Sequence, residues 1–204
     1  MDVDNRQYLV SARHVVGTGN DSLSIFHARA WKHVRTDFVG SGIGEVDITV
    51  LAPKTRLSPA RPLVPSVDGI VLGQEVFFAG YPYKMWWDGG PIMRGRPLPF
   101  VKRGTLSAAM DQAEDVQCRY VDATCNLGFS GGPLVFAPPG TRESRIAGVV
   151  AKFKTEYESV VTKDGEDSGM RVPYNTGFLV AYSIKYALDI IKASPIGLPL
   201  ESNS

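Results

Sequence analysis

The six residues Gly128-Phe129-Ser130-Gly131-Gly132-Pro133 lead directly into the apolar run Leu134-Val135-Phe136 and carry the strongest local signal in the chain. Three glycines and a proline in six residues predict a tight, irregular turn. A serine at such a turn exposes its hydroxyl, and successive backbone N–H groups beside it can converge on one point. Acyl-transfer chemistry needs both a nucleophile and an oxyanion site of this kind. Glycine-rich turns with a serine are also common as plain structural turns, so the base has to be found elsewhere.

The order of the candidate residues along the chain excludes one class of hydrolase. All three histidines, His14, His27 and His33, precede Ser130. An α/β-hydrolase carries the same Gly-x-Ser-x-Gly pattern, but its histidine follows the serine. The order His, Asp, Ser remains open, and it is the order of the two-barrel β proteases. His27 and His33 are interpreted as structural, and the three histidines lack the local spacing of a metal site.

Composition describes an ordinary globular protein. The chain has 204 residues, enough for one sizeable domain or for two small barrels that share a cleft. Its residues are 44% hydrophobic and 21% charged, and the net charge of +1 gives no indication of nucleic-acid or anionic-membrane binding. Cys118 and Cys125 are too few for a disulfide framework, and we interpret both as free thiols.

Neither a membrane anchor nor a leader is visible in the sequence. The sequence contains no run of 18 apolar residues, the length that would predict a transmembrane helix, so membrane insertion is not expected. Residues 1–6 are polar and lack the layout of a signal peptide, which favours the cytoplasm while leaving the compartment open.

Many short apolar segments separated by Gly and Pro predict an all-β sandwich or barrel. Residues 52–68 contain four prolines and are interpreted as the crossing between two domains. Residues 183–192 have helical spacing with Ser183 as the N-cap, and a loose tail is expected from Pro195. Strands are predicted at residues 8–12, 23–30, 46–51, 70–72, 75–80, 105–109, 116–121, 134–136, 146–153 and 177–180.

Three segments together resemble one family. Tyr8-Leu9-Val10-Ser11-Ala12-Arg13-His14-Val15-Val16 resembles the histidine strand end of trypsin-like serine proteases, and Val46-Asp47-Ile48-Thr49-Val50-Leu51 resembles their aspartate strand. Residues 122–135 resemble, without a gap, the nucleophile segment of the high-temperature-requirement (HtrA) branch. Residues 73–82 and 104–107 are also similar to that branch. The resemblance spans roughly residues 8–192 and follows the family's order.

The resemblance implies two β-barrels with the active site in the cleft between them, and serine endopeptidase activity on polypeptide substrates. It places the nucleophile at Ser130, the general base at His14 and the acid at Asp47. The oxyanion hole falls on the backbone N–H groups of Gly128, Phe129 and Ser130. The implied domains are residues 1–66, with His and Asp, and residues 67–194, with Ser and the terminal helix, followed by a tail at 195–204. No cofactor or metal is expected, because the mechanism needs none.

The same mapping predicts a primary specificity pocket. Its walls would be Thr124, Cys125, Asn126 and Leu127 on one side, and Val149, Val150 and Ala151 on the other. No acid falls at the base of this pocket, so a preference for Lys or Arg is not expected. We expect a small or medium apolar side chain instead.

Three features depart from the family pattern. Phe129 stands where the family has Asp or Asn, a polar side chain that usually pins the nucleophile loop. Only seven residues precede Tyr8, where the family has a further strand. Either the first barrel is open at one edge, which favours a homo-oligomer, or another chain donates a strand, or this sequence begins inside the natural protein. Residues 84–102 form a long connection with Trp86-Trp87, interpreted either as a lid or partner-binding loop or as a self-packed surface loop.

Two other functions fit the same fold. A pseudo-protease would use it as a binding module, and Phe129 and the aromatic loop favour that alternative. An esterase would use the same triad on small acyl substrates. The reactivity of Ser130 distinguishes a protease from a pseudo-protease. The turnover of proteins as against simple esters distinguishes a protease from an esterase.

Overall fold

A computed structural model describes residues 1–18, 22–27, 30–58, 63–90, 96–112 and 116–200. The helices are α1 (Arg13–Val16) and α2 (Lys185–Ala193), with a 3₁₀ turn at Pro82–Lys84. The strands, in chain order, are β1 (Asp2–Val3), β2 (Arg6–Gln7), β3 (Leu9–Ser11), β4 (Ser22–His27), β5 (Ala30–Ser41), β6 (Thr49–Pro53), β7 (Val64–Pro65), β8 (Glu75–Gly80), β9 (Trp87–Asp88), β10 (Pro97–Leu98), β11 (Phe100–Gln112), β12 (Val116–Asp122), β13 (Pro133–Phe136), β14 (Arg145–Val161), β15 (Asp167–Ser183) and β16 (Leu198–Pro199).

The C-terminal part of the chain forms a closed six-stranded barrel. Its antiparallel strands follow the order β13-β8-β11-β12-β15-β14, and β13 also pairs with β14, which closes the barrel. In β8 the side chains of Val76 and Phe78 are buried, while those of the alternating residues Glu75 and Phe77 are exposed. This is the period-two alternation that predicts a strand with one buried face. The turn that carries Ser130 lies immediately before β13, so this barrel positions the candidate nucleophile.

The N-terminal strands form a curled half-barrel rather than a second closed barrel. Their order is β3-β6-β5-β4, with antiparallel pairing throughout. All five residues of β6 are buried, and the strand begins three residues later and ends two residues later than the one predicted at 46–51. The helix α1 follows β3, and Asp47 precedes β6. These two neighbouring strands therefore bring the candidate base and the candidate acid to one end of the half-barrel.

Two apolar clusters hold the architecture together. One lies inside the closed barrel and includes Val76, Phe78, Phe129 and Leu134. The other includes residues of both halves and of α2, such as Tyr8, Ile48, Tyr182 and Ile191. Because this second cluster draws on both halves, hydrophobic burial fixes the half-barrel against the closed barrel. The all-β class expected from the sequence is confirmed.

Several predicted elements differ from the observed ones. Residues 70–72, expected as a strand, form turns, and the sequence predicts no strand over residues 31–41 of β5, whose first side chains are mostly exposed. The strand expected at 23–30 is instead β4 and the first residue of β5, with residues 28–29 outside the described part. The helix α2 begins at Lys185 with Ile184 in the N-cap position, because Ser183 is the last residue of β15. The Ser183 hydroxyl nevertheless accepts a hydrogen bond from the Lys185 N–H at 3.4 Å, as a capping side chain does.

The hairpin formed by β14 and β15 is much longer than predicted. Each strand has 17 residues, and their pairing continues as far as Val161 and Asp167. The sequence predicted only residues 146–153 and 177–180, because hydrophobic alternation stops where the strands leave the barrel and both faces meet solvent. The apolar core therefore marks the barrel portion of this hairpin but not its exposed extension.

The chain ends are joined by a small three-stranded sheet. β2 pairs with β1 on one side and with β16 on the other. The predicted loose tail is thus ordered through residue 200, where Leu200 is buried and its N–H donates to the carbonyl of Asn5 at 2.9 Å. Residues 201–204 of that predicted tail lie outside the described part. The boundary proposed between residues 66 and 67 stays a prediction.

Candidate active site

His14 and Asp47 form a tight pair at the end of the half-barrel. His14 Nδ1 lies 2.5 Å from Asp47 Oδ2, and the backbone N–H of His14 donates to Asp47 Oδ1 at 2.9 Å. The Asp47 side chain is largely enclosed, whereas the His14 side chain is 52% exposed. The carboxylate therefore holds both the main chain and the ring of His14, which leaves Nε2 on the solvent side. This is the arrangement of an oriented general base.

The loop that presents Asp47 is tied to the helix that presents His14. The Arg13 guanidinium donates to the carbonyl oxygens of Gly42 and Gly44, each at 2.8 Å. The Gly42 N–H in turn donates to the carbonyl of Ile48 at 2.8 Å. These bonds fix the chain on either side of Asp47, so the pair is held by its surroundings and not by its own hydrogen bonds alone. No local pattern in the sequence indicates this role for Arg13.

The nucleophile turn adopts a backbone that requires glycine. Gly128 and Gly131 have φ values of +101° and +84°. A Cβ at Gly128 would lie 2.3 Å from the Tyr81 carbonyl oxygen, and one at Gly131 would lie 2.3 Å from Ser11 Oγ. The turn is therefore packed between the end of β8 and the end of β3. The second contact brings Ser130 close to α1, because Ser11 lies only three residues before His14.

The hydroxyl of Ser130 is directed toward β14. Ser130 Oγ donates to the carbonyl oxygen of Ala151 at 2.8 Å, and no hydrogen bond joins it to His14 among the residues described. Ala151 lies at a register shift in the β14–β15 ladder, between the pairs Val150–Ala181 and Lys152–Val180. Such a bulge turns a carbonyl out of the ladder, which explains how the Ala151 carbonyl can accept a hydrogen bond from the Ser130 hydroxyl.

Unpaired backbone donors surround Ser130. Within the described ranges, the N–H groups of Gly128, Phe129 and Ser130 donate to no other residue. The carbonyls of Gly128 and Phe129 accept from the N–H groups of Tyr81 and Gly132, at 2.8 and 3.0 Å. Because a trans peptide points its N–H opposite to its C=O, the N–H groups of Phe129 and Ser130 are directed away from those partners. Free donors at this position suit a developing oxyanion.

Phe129 is an internal anchor of the turn. Its side chain is fully buried, and its ring meets that of Phe78 edge-on at a centroid distance of 5.1 Å. The polar residue expected from the resemblance is thus replaced by an aromatic one that packs in the barrel core. The turn is held by hydrophobic burial where a hydrogen-bonding side chain was expected.

Lys102 supports the same turn from β11. Its Nζ donates to the carbonyl of Thr124 at 2.6 Å and to Asn126 Oδ1 at 2.9 Å. The ammonium also lies 5.5 Å from the centroid of the Phe129 ring, a cation–π distance. The sequence gives no indication of Lys102, because a single lysine in an alternating strand carries no signal of its own.

Replacing Phe129 with alanine should lower the free energy of unfolding by about 3–5 kcal/mol, the usual cost of removing a buried phenylalanine. Chemical denaturation with urea would measure the loss as a lower midpoint at an unchanged m-value. Phe77→Ala is the matched control, because Phe77 neighbours Phe78 on β8 but is 39% exposed. A loss at position 129 no larger than that of the control would contradict the anchoring role.

The residues predicted to line the primary pocket fall into two groups. The side chains of Thr124 and Leu127 are exposed at the rim of the closed barrel, and Asn126 is half-buried. The Asn126 amide donates to the Tyr83 hydroxyl at 3.2 Å. The side chains of a second group are instead buried in the two apolar clusters: Cys125, Val149, Val150 and Ala151. A role for these residues in substrate binding stays a prediction.

The two cysteines form no disulfide with each other, as expected, and the structure buries both of their side chains. Burial raises the pKa of Cys125 to about 11, against a weaker opposing effect of the Lys102 charge. The thiol therefore stays protonated at neutral pH and is a poor nucleophile. Tyr182, whose pKa burial raises to about 12, likewise stays neutral.

Neither a metal cluster nor a membrane helix is present in the described ranges. No group of three or more His, Cys, Asp or Glu side chains there is placed to hold a metal ion. The longest helix described, α2, has nine residues, so no helix there can cross a bilayer.

Ser130 opens onto a cleft of about 410 Å³ between the two halves of the molecule. Ser11 contributes from the half-barrel, whereas most of the lining comes from the closed barrel. The remaining lining residues are Ala79, Gly80, Tyr81, Pro99, Gly128, Gly131, Gly132 and Pro133.

Solved structures with the same fold cover almost the whole chain. A serine-to-alanine mutant of Rv3671c from M. tuberculosis H37Rv, crystallised in an inactive form, has 18% sequence identity and a TM-score of 0.53 over 98% of this chain and 82% of that one. A structure of the Rv3671c protease in an inactive form has 17% identity and a TM-score of 0.54, over 95% and 81% of the two chains. At these identities the likeness is one of fold. No curated protein sequence matches the chain.

The trypsin-like peptidase domain family matches residues 2–137. This range contains His14, Asp47 and Ser130, and it covers about two thirds of the sequence. Together with the shared fold, the match supports a serine-protease type of function. The chain therefore belongs to the family of trypsin-like peptidase domains.

Proposed function

We propose that this protein is a serine endopeptidase that cleaves peptide bonds through Ser130, His14 and Asp47. The observation that carries the proposal is the His14–Asp47 pair, held at 2.5 Å beside a serine turn whose backbone donors are unpaired. A structural histidine would not need its ring and its main chain fixed by the same carboxylate.

In the first step, Ser130 Oγ attacks the carbonyl carbon of the scissile peptide bond while His14 Nε2 accepts the hydroxyl proton. Asp47 accepts a hydrogen bond from the Nδ1–H group of His14. This bond keeps Nε2 unprotonated before the attack and stabilises the imidazolium that forms during it. The carbonyl oxygen takes the negative charge. The N–H groups of the serine turn would stabilise that charge.

In the second step, the C–N bond breaks and His14 returns the proton to the departing amine. An acyl-enzyme ester on Ser130 remains. Water then attacks this ester with His14 again as the base, which releases the acid and restores the serine hydroxyl. The cycle is redox-neutral and consumes one water for each bond cleaved.

The resting hydroxyl has to turn before this chemistry begins. Its hydrogen bond to the Ala151 carbonyl is a neutral one, worth about 1 kcal/mol net. Rotation about the Cα–Cβ bond between staggered positions would release it toward His14. A substrate backbone N–H that bonds to the Ala151 carbonyl would displace the serine and favour this rotation.

The same resting orientation favours the second candidate, a pseudo-protease that binds peptides without cleaving them. In that case the Ser130 hydroxyl would stay on Ala151, and His14 would have no proton to remove. The two candidates differ in one measurable property, the reactivity of Ser130.

Labelling with a fluorophosphonate tests the proposal directly, because the reagent forms a stable adduct only with an activated serine. Intact-mass analysis should find one adduct on the wild-type protein, and peptide mapping should place it on Ser130. His14→Ala should abolish the adduct. His33→Ala is the matched control, since His33 lies on β5 outside the candidate triad and should label like the wild type.

Absence of an adduct at neutral to mildly alkaline pH would reject a constitutively active protease and favour the binding module. An adduct together with turnover of simple esters but not of unfolded proteins would instead indicate an esterase.

A further inference from the structure

Two of the three tryptophans of the chain meet at one phenylalanine. Trp86 and Trp31 both contact Phe26, at ring-centroid distances of 5.3 and 5.5 Å, and Trp87 follows Trp86 directly. We call Phe26, Trp31 and Trp86 the aromatic bridge. Trp31 is 70% exposed and Trp87 is 69% exposed, so the group presents a large apolar surface to solvent.

The aromatic bridge joins the two halves of the molecule. Phe26 and Trp31 are opposite each other in the β4–β5 hairpin of the half-barrel. Trp86 belongs to the connection between β8 and β11 of the closed barrel. The contact between them therefore crosses from one half to the other, and the cleft that holds Ser130 lies between these halves.

The connection is continuous with that cleft. Trp87 pairs with Leu98 in the β9–β10 ladder, and the next residue, Pro99, lines the cleft beside Ser130. Tyr81, which also lines the cleft, donates its hydroxyl to the carbonyl of Pro97 at 3.1 Å. The step from Leu98 to Pro99 is one residue, about 3.8 Å between Cα atoms, so the tryptophan surface begins where the cleft ends.

A turn with unfavourable backbone φ values sets the direction of this connection. Tyr83 and Lys84 have φ values of +53° and +62°, which are unfavourable for bulky residues. The turn is held by a hydrogen bond from the Tyr83 N–H to the Leu127 carbonyl at 3.3 Å. Strain of this kind persists where surrounding contacts fix it, commonly beside a functional site. If this connection only packed against itself, its tryptophans would be buried within it, whereas Trp87 is 69% exposed.

The direction of a bound chain follows from the strands beside Ser130. Beyond Val150, whose N–H donates to the Gly132 carbonyl and whose carbonyl accepts from the Gly131 N–H, β14 pairs only with β15 in the described ranges, so its other edge is free to add a strand there. The carbonyl of Ala151, at the bulge, lies on the side of β14 that faces Ser130. The substrate residues before the scissile bond would pair with β14 along that edge. The serine turn separates this edge from Gly80 and Tyr81, so the residues after the scissile bond would leave toward the aromatic bridge.

We propose that the aromatic bridge, with Trp87, binds apolar side chains of the polypeptide substrate on the C-terminal side of the scissile bond. This inference rests on the proposed function. The rings are exposed and continuous with the cleft, and they lie beyond the serine on the side that the leaving segment must take. They would select substrates with aromatic or large aliphatic residues at these positions.

Acyl transfer separates this binding from the chemistry at Ser130. An N-acetyl-valine p-nitrophenyl ester forms the acyl-enzyme without any residue after the scissile bond. Two probes, phenylalanyl-leucinamide and glycyl-glycinamide, then compete with water for it. We expect the wild type to transfer the acyl group to the apolar amide about tenfold more efficiently than to the glycine amide.

Substitutions in the aromatic bridge test whether it causes this preference for the apolar amide. Trp86→Ala should lose it, while hydrolysis of the ester without an amide should change by less than about twofold. Trp86→Phe should restore most of the preference. Tyr157→Ala is the matched control, since Tyr157 is a 61% exposed aromatic side chain on the β14–β15 hairpin that has no ring contact with the aromatic bridge among the described residues. If Trp86→Ala does not fold, Trp31→Ala provides the same test at a side chain that is mostly exposed.

Tryptophan fluorescence gives an independent measurement, because all three fluorophores lie on the proposed surface. In Ser130→Ala, the apolar amide should shift the emission and the glycine amide should not. An unchanged preference in Trp86→Ala together with unchanged emission would overturn the inference. Emission that instead follows protein concentration, with a dimer in sedimentation, would assign the surface to self-association. A shift without any ester turnover or labelling would reject the peptidase but retain the peptide surface.

Discussion

Ser130→Ala should lower kcat for peptide hydrolysis by about 10⁶-fold, the scale of removing a nucleophile from a complete triad. The variant loses the attacking oxygen, so no acyl-enzyme can form, and only binding and oxyanion stabilisation remain. The fold should survive, because the lost hydrogen bond to Ala151 is worth about 1 kcal/mol. For a chain of this size that corresponds to about 2–4 °C in Tm.

The measurement is the initial rate on an unfolded protein substrate, with Tm determined by calorimetry on the same samples. Ser107→Ala is the matched control, since Ser107 is an exposed serine on β11 whose hydroxyl donates to the nearby Thr105 carbonyl and, among the described residues, to no other group. It should retain full activity. Residual activity of Ser130→Ala above about 1% of the wild type would mean that another group is the nucleophile.

Asp47→Asn should lower kcat by about 10⁴-fold with little change in KM. The amide keeps the shape of the carboxylate but presents an N–H₂ group to His14 Nδ1, which favours the tautomer with the proton on Nε2. In that tautomer Nε2 cannot accept the serine proton. The neutral amide also cannot stabilise the imidazolium that forms during attack, so both effects act in the same direction.

Asp37→Asn controls for the loss of one carboxylate from the half-barrel. Asp37 lies on β5 and forms a surface ion pair with Lys54. Pairs of this kind contribute less than about 1 kcal/mol, and activity should stay close to that of the wild type. A comparable loss of activity in both variants would point to a general effect on the half-barrel and would contradict the specific role of Asp47.

Local patterns were sufficient for much of the fold and of the candidate site. The alternation of Val76 and Phe78 predicted β8 with its observed ends, and the glycines at 128 and 131 predicted the turn. The order of His14, Asp47 and Ser130 along the chain is by itself enough to exclude the α/β-hydrolase arrangement. These inferences succeeded because they depend on residues near one another in the chain or on their order.

Phe129 shows where local patterns stop. From the sequence it is a departure that removes a polar pin, and nothing nearby indicates what replaces it. Its partners, Phe78 and Lys102, come from β8 and β11, 51 and 27 residues earlier (129−78 and 129−102). The replacement of a hydrogen bond by aromatic burial depends on the pairing of these strands in the barrel.

The amino-acid sequence alone predicted an all-β chain and the glycine-dependent turn that carries Ser130, and its resemblance to a known family proposed Ser130, His14 and Asp47 as nucleophile, base and acid. Tertiary structure decided that the N-terminal strands form a half-barrel and that the Ser130 hydroxyl points to the bulged Ala151 carbonyl. It also decided that Trp86 of the closed barrel contacts Phe26 of the half-barrel. The division has a physical reason. Backbone conformation and chemical type are properties of neighbouring residues, whereas side-chain orientation depends on the packing of segments that are distant in the chain.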